Sequence, residues 1–112
     1  MAERGDVVQL KRRLGFGEAR GGERLVVIQT TRLNAALPTV IVVPLDDSSV
    51  VANTTLGVRV SADEAGSRRE TTAVTWHVKT LLADRLAAGR VGRLEPRTLA
   101  QLDDKLRIVM GL

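Results

Sequence analysis

The sequence predicts a small α+β domain, mainly β and barrel-like, closed by a C-terminal helix. Short runs of β-branched residues recur along the chain, a glycine-rich stretch follows the first of them, and the segment with the clearest helical periodicity comes last. At 112 residues the chain suits one domain spanning 1–112, with no internal repeat and no linker composition.

Taken in order, residues 7–10 (VVQL) read as a first strand after the turn-prone Gly5-Asp6. Residues 11–22 hold Gly15, Gly17, Gly21 and Gly22 and predict a long mobile loop. Residues 25–28 (LVVI) and 39–45 (TVIVVPL) are unbroken apolar runs, the pattern of strands buried on both faces. Residues 34–38 read as a turn or a short helical piece. Residues 57–61 alternate like a half-exposed strand, 62–70 (ADEAGSRRE) read as a polar loop, and 71–79 (TTAVTWHVK) as one strand. A short helix is expected at 81–86 and a short strand at 91–94. Pro96 suits the first position of a helix running to residue 110. Leu99, Leu102, Leu106 and Val109 form its apolar face, and Asp103 and Arg107 are spaced as an i,i+4 pair.

Composition narrows the chemistry. With one Trp, one Phe and no Tyr, the core must come from Val, Leu, Ile and Ala, and aromatic platforms for stacking bases are scarce. A net charge of +4 favours polyanions such as RNA, DNA or an acidic peptide, although 13 acids beside 17 bases also fit an ordinary solvated surface. The absence of cysteine excludes disulfides and thiolate chemistry, and a lone histidine, His77, cannot build a His-rich cluster. No metal and no cofactor are therefore expected. There is no signal-like N-terminus and no run near the roughly 20 apolar residues of a membrane span. A cytoplasmic protein is the expectation.

The motifs become informative in their order. Arg4-Gly5-Asp6-Val7 opens the first strand, and Gly17, Gly21, Gly22 and Arg24 form a glycine loop closing on an arginine. Val40 to Leu45 spells VIVVPL, Trp76 to Leu81 spells WHVKTL, and Gly89 to Pro96 spells GRVGRLEP ahead of the last helix. This series resembles the MazF/PemK family of bacterial toxins over nearly the whole chain. No piece is specific alone; five in order are. The resemblance implies an SH3-like β-barrel, a homodimer, metal-independent cleavage of single-stranded RNA, and neutralisation by a cognate antitoxin with an acidic tail.

The same resemblance, joined to the chemistry of RNA cleavage, nominates site residues. Attack by a 2′-OH needs a proton acceptor, a cation for the phosphorane and a proton for the leaving group. Arg24 suits the cation role, because a guanidinium matches two phosphate oxygens and stays charged. Asp46 stands where the family carries Thr or Ser. It is either a proton acceptor or part of a plain Asp46-Asp47-Ser48-Ser49 turn. Ser48 is a candidate hydroxyl if the loop is displaced. His77 is a candidate acid or base, since an imidazole can serve as either, but it also suits a structural strand position. Val74 and Trp76 replace an arginine and an aspartate of PemK-like members. Trp76 is expected to pack in the core or an interface, with base stacking as the alternative. Arg12, Arg13, Arg20, Gly21, Gly22 and Lys79 are the candidate RNA-binding residues. The competing readings are a catalytically weak or inactive homologue that binds RNA or an antitoxin, a relative acting on gyrase, and an unrelated structural barrel. The ending Met110-Gly111-Leu112 lacks the bulky aromatic tip expected of a gyrase-directed relative.

Overall fold

A computed structural model describes residues 1–11 and 23–112. In chain order it contains β1 (Asp6–Gln9), β2 (Arg24–Val27), α1 (Thr31–Ala36), β3 (Thr39–Asp46), α2 (Ser49–Ala52), β4 (Val58–Val60) and α3 (Ala62–Ala65). There follow β5 (Thr71–Ala73), β6 (Lys79–Leu82), a 3-10 turn at Ala83–Arg85, β7 (Gly92–Arg93) and α4 (Pro96–Met110). Every strand pair is antiparallel. The strands run β4-β5-β3-β2-β1-β7, with β6 also paired to β3. This is the predicted mainly β, SH3-like architecture with a C-terminal helix, its sheet curled into a half-barrel.

The unbroken apolar runs are buried on both faces, as their composition requires. In β2, Val26 packs with Val7, Val43, Val60, Leu102 and Leu106. Its neighbours Leu25 and Val27 turn the other way, onto Val8, Val40 and Val42. Helix α4 covers the first cluster: Leu102 and Leu106 are buried and Leu99 packs against them. The predicted Asp103–Arg107 pair does not form. Asp103 instead binds Arg4, and Arg107 turns to Asp104 at 2.9 Å. Tertiary attraction has displaced a local pairing worth only about 0.2–0.5 kcal/mol.

The Arg-Gly-Asp opening is an anchor. Arg4 ties the N-terminal segment to Asp103 of α4 and donates from Nε to Ile28 O at 2.9 Å. Asp6 is only 5% exposed. It accepts from Arg93 at 2.5 Å, Arg90 at 3.3 Å and the Glu3 amide at 2.9 Å, so its buried charge is met from several sides.

Several expectations change. The strand foreseen at 71–79 is two strands, β5 and β6, joined by a turn in which the His77 amide donates to Val74 O at 3.0 Å. Pro44 is the physical cause. Its carbonyl accepts the Val74 amide at 2.9 Å, so its nitrogen faces the same edge with no hydrogen to give. The ladder stops there, with β6 paired to one half of β3 and β5 to the other. The helix expected at 81–86 is the end of β6 followed by the 3-10 turn. The polar loop at 62–70 contains α3. Ser61 and Glu64 form its capping box, a signature present in the sequence as Ser-Ala-Asp-Glu.

Glu64 does more than cap. Its Oε1 accepts from the Ser61 amide (3.1 Å) and hydroxyl (3.0 Å), and its Oε2 from the Glu95 amide (2.9 Å). Burial alone would raise its pKa. Hydrogen bonds from Thr98, the Glu95 amide and Ser61 outweigh that and hold it below the ordinary 4.5. A group with a depressed folded pKa stabilises fully above its unfolded value and loses that contribution as pH falls through the folded one. Glu64→Gln should therefore destabilise the protein by about 1–3 kcal/mol at pH 7, since an NH2 must then face a donor. In urea unfolding, the gap between parent and variant should shrink as pH drops below 4.5.

Candidate functional site

The end of β3 and the start of β2 lie side by side, because Leu25 pairs with Pro44 and the strands run antiparallel. This register brings Arg24, the first residue of β2, level with Leu45 and Asp46 at the end of β3. On the other edge of β3, strand β5 places Thr72 opposite Asp46. A cleft of about 620 Å³ opens there, lined by Glu23, Arg24, Leu45, Asp46, Asp47, Ser67, Arg68, Arg69 and Thr71. A separate hollow of about 450 Å³, lined by Ala2, Val8, Val40, Leu86 and Arg90 among others, shares none of these residues.

Arg24 is oriented by backbone oxygens. Its Nε donates to Ala65 O at 3.1 Å and its Nη2 to Gly66 O at 2.9 Å, both at the C-terminal end of α3. The ion pair with Asp46 that sequence proximity allowed is not formed. Asp46 instead accepts the Ser48 amide through Oδ1 at 2.6 Å, closing an Asx turn. Ser48 is the N-cap of α2, its Oγ accepting the Val51 amide at 3.4 Å. Both residues thus serve the turn, but only Asp46 also borders the cleft.

The other candidates divide. His77 is exposed in the β5–β6 turn and does not line the cleft. Beside it Trp76 is 42% exposed, which removes it from the core and leaves an interface or a stacking role. Val74 is buried at 6%. Lys79 reaches the rim indirectly, with its Nζ 3.8 Å from Glu23. Arg12, Arg13, Arg20, Gly21 and Gly22 lie outside the described residues.

Arg68, Arg69, Ser67 and Thr71 were missed in the sequence reading. The adjacent Arg68-Arg69 pair was the available signal, placed just before a predicted strand. Neither forms an ion pair with any described residue. Thr71 Oγ1 is buried and has no hydrogen-bond partner among the described residues. Among the described residues no group of three His, Asp or Glu is arranged to hold a metal, and no helix is long and apolar enough to cross a membrane.

The arrangement can hold an anion. Among the described residues, three arginines border the cleft, Arg24 held by two carbonyls and Arg68 and Arg69 on an exposed turn. Three carboxylates, Glu23, Asp46 and Asp47, share the described rim. An anion entering here can meet a guanidinium whose placement is fixed by the backbone.

Comparison with known proteins agrees with this fold. No curated protein sequence matches. Among solved structures, a mycobacterial endoribonuclease in complex with its cognate antitoxin is 20% identical with a TM-score of 0.73, covering 99% of this chain and 94% of that one. MazF from Deinococcus radiodurans is 17% identical with a TM-score of 0.75, covering 99% and 97%. The Mycobacterium tuberculosis toxin MazF-mt6 is 14% identical with a TM-score of 0.75, covering 96% and 97%. At these identities the likeness is one of fold. The family model for PemK-like, MazF-like toxins of type II toxin–antitoxin systems matches residues 3–110. With that match across its strands, its cleft and its closing helix, the chain belongs to the PemK-like, MazF-like family of type II toxin–antitoxin toxins.

Proposed function

We propose that this protein is the toxin of a type II toxin–antitoxin pair and a metal-independent endoribonuclease cutting single-stranded RNA. Endoribonuclease activity is typical of the family. The observation that carries the reading is Arg24, held on the wall of an open cleft beside Asp46 with Arg68 and Arg69 on the same rim.

The chemistry follows from these positions. A phosphodiester enters with a non-bridging oxygen toward Arg24. The neighbouring 2′-OH attacks phosphorus, and the 5′-oxygen leaves. Arg24 stabilises the charge that builds on the phosphorane oxygens, the largest single contribution available to such a site. Solvent water takes the 2′-OH proton and protonates the departing 5′-oxygen, while Asp46, with one oxygen committed to the Ser48 amide, adds a negative charge that opposes the phosphate. Arg68 and Arg69 hold flanking phosphates and offset the repulsion of Asp46 and Asp47. Lys79 and the glycine loop with Arg12, Arg13, Arg20, Gly21 and Gly22 extend the RNA-binding surface. The toxin works as a cytoplasmic homodimer, and the acidic tail of a cognate antitoxin competes with RNA for the same cations. A binding-only homologue is the second reading. It is favoured by Asp46, a carboxylate where the family supplies a hydroxyl, and by Val74, an apolar residue where PemK-like members place a charged one.

Arg24→Ala should lower cleavage of a long single-stranded RNA about 10²–10³-fold, the usual cost of one transition-state donor. Circular dichroism and thermal melting should show the fold retained, and equal rates for parent and variant would remove Arg24 from the chemistry.

Cleavage should survive EDTA and yield 2′,3′-cyclic phosphate ends, because the nucleophile is the adjacent 2′-OH. Mass spectrometry of the fragments reads the ends. Loss on chelation with rescue by Mg²⁺ would demand another mechanism.

Asp46→Thr should raise cleavage, since it restores the family hydroxyl and removes a negative charge beside the phosphate. Initial rates at saturating RNA measure this, and a lower rate would identify Asp46 as a working base.

A further inference from the structure

Arg24 enters the cleft already bound on one edge. A guanidinium carries five N–H donors, and here Nε and Nη2 each give one to a carbonyl, Ala65 O and Gly66 O. Both bonds lie on the same edge of the fork. The Nη1 donors and the second Nη2 hydrogen are outside them.

Those two carbonyls belong to a turn with little freedom. On one side Glu64 is tied to Ser61 and reaches across to the Glu95 amide ahead of α4. On the other side the backbone of residues 64–66 lies directly against residues 91–92. Gly66 has φ +63°, and a Cβ built on it would stand 1.9 Å from Val91 O. A Cβ on Gly92 would stand 2.0 Å from Glu64 O. Each contact is backbone on backbone, so no side chain can turn aside to relieve it. Only two glycines permit this approach. The path from β7 and the start of α4 to the guanidinium thus runs through rigid parts: Gly92 and Glu64, then the 64–66 backbone, then Arg24.

We infer that the 64–66 turn, locked against Gly92 and tied down by Glu64, is a positioning device for Arg24, holding its Nε edge so that its Nη1 side presents end-on to the phosphate. This deepens, and rests on, the ribonuclease reading given above. Glu64, Gly66 and Gly92 are then positioning residues, and none of them touches RNA. A purely structural role for the two bonds, joining β2 to α3, would predict lower stability in variants but no selective effect on Arg24 chemistry.

The test uses Gly92→Ala and, because that variant crowds backbone against backbone, the milder Glu64→Gln. By NMR, the Arg24 Hε should exchange with water slowly in the parent and roughly 10-fold or more faster in either folded variant, as expected for a loosened hydrogen bond. RNA cleavage should fall on the order of 10- to 100-fold, in kcat with KM little changed, since misplacement of a transition-state group is what has been introduced. In an Arg24→Ala background the same substitutions should cause no further loss. Folded variants that keep parental Hε exchange and cleavage would overturn the inference, as would undiminished losses in the Arg24→Ala background. A parent protein that cuts no RNA would defeat the ribonuclease reading instead. The exchange measurement would still decide whether the turn holds Arg24.

Discussion

Pro44 sits in the middle of the strand on which the rest of the sheet is assembled, and its missing N–H governs what can lie beside it. Strand β3 bonds β2 on one edge. On the other edge it must accept two different partners, because the ladder cannot continue past a residue with no donor. The chain therefore leaves β3 after β5, turns at residues 74–77, and returns as β6. One eight-residue strand serves two sheet segments that need not be coplanar. That break lets the sheet curl and encloses the cluster of Val7, Val26, Val43, Leu102 and Leu106 under α4.

The same break builds the cleft. Because β5 joins only the last residues of β3, the α3–β5 turn carrying Ser67, Arg68 and Arg69 is brought beside Asp46. The antiparallel register of β2 and β3 delivers Arg24 to the same end. Residues far apart in the chain thus meet because one proline redirects one ladder. The contact of Gly66 with Gly92 then holds the turn against β7, and through it the guanidinium.

Electrostatics at this end are finely divided. The chain carries a net +4, and among the described residues the cleft rim holds three arginines and three carboxylates. Glu23 is partly answered by Lys79, and Asp46 by the Ser48 amide. On the ribonuclease reading proposed above, a phosphate meets Arg24 donors that are already held in place. Those donors avoid the reorganisation that free, hydrated side chains would have to undergo.

Read alone, the sequence determined the fold class, the doubly buried strands 25–28 and 39–45, the apolar face of α4, and the nearness of Arg24 to Asp46, which line one cleft. Each is written in local composition, in periodicity or in a motif of fixed order. Tertiary structure alone decided the rest. It split residues 71–79 in two, because the cause lies in Pro44 on another strand. It moved Asp103 from Arg107 to Arg4, and placed His77 and Trp76 on an exposed turn outside the cleft. Arg68 and Arg69 became cleft residues, and Gly66 and Gly92 a contact. These outcomes depend on which backbone edges meet across long separations in sequence, and hydrogen-bond pairing between distant strands leaves no periodic trace in either strand by itself.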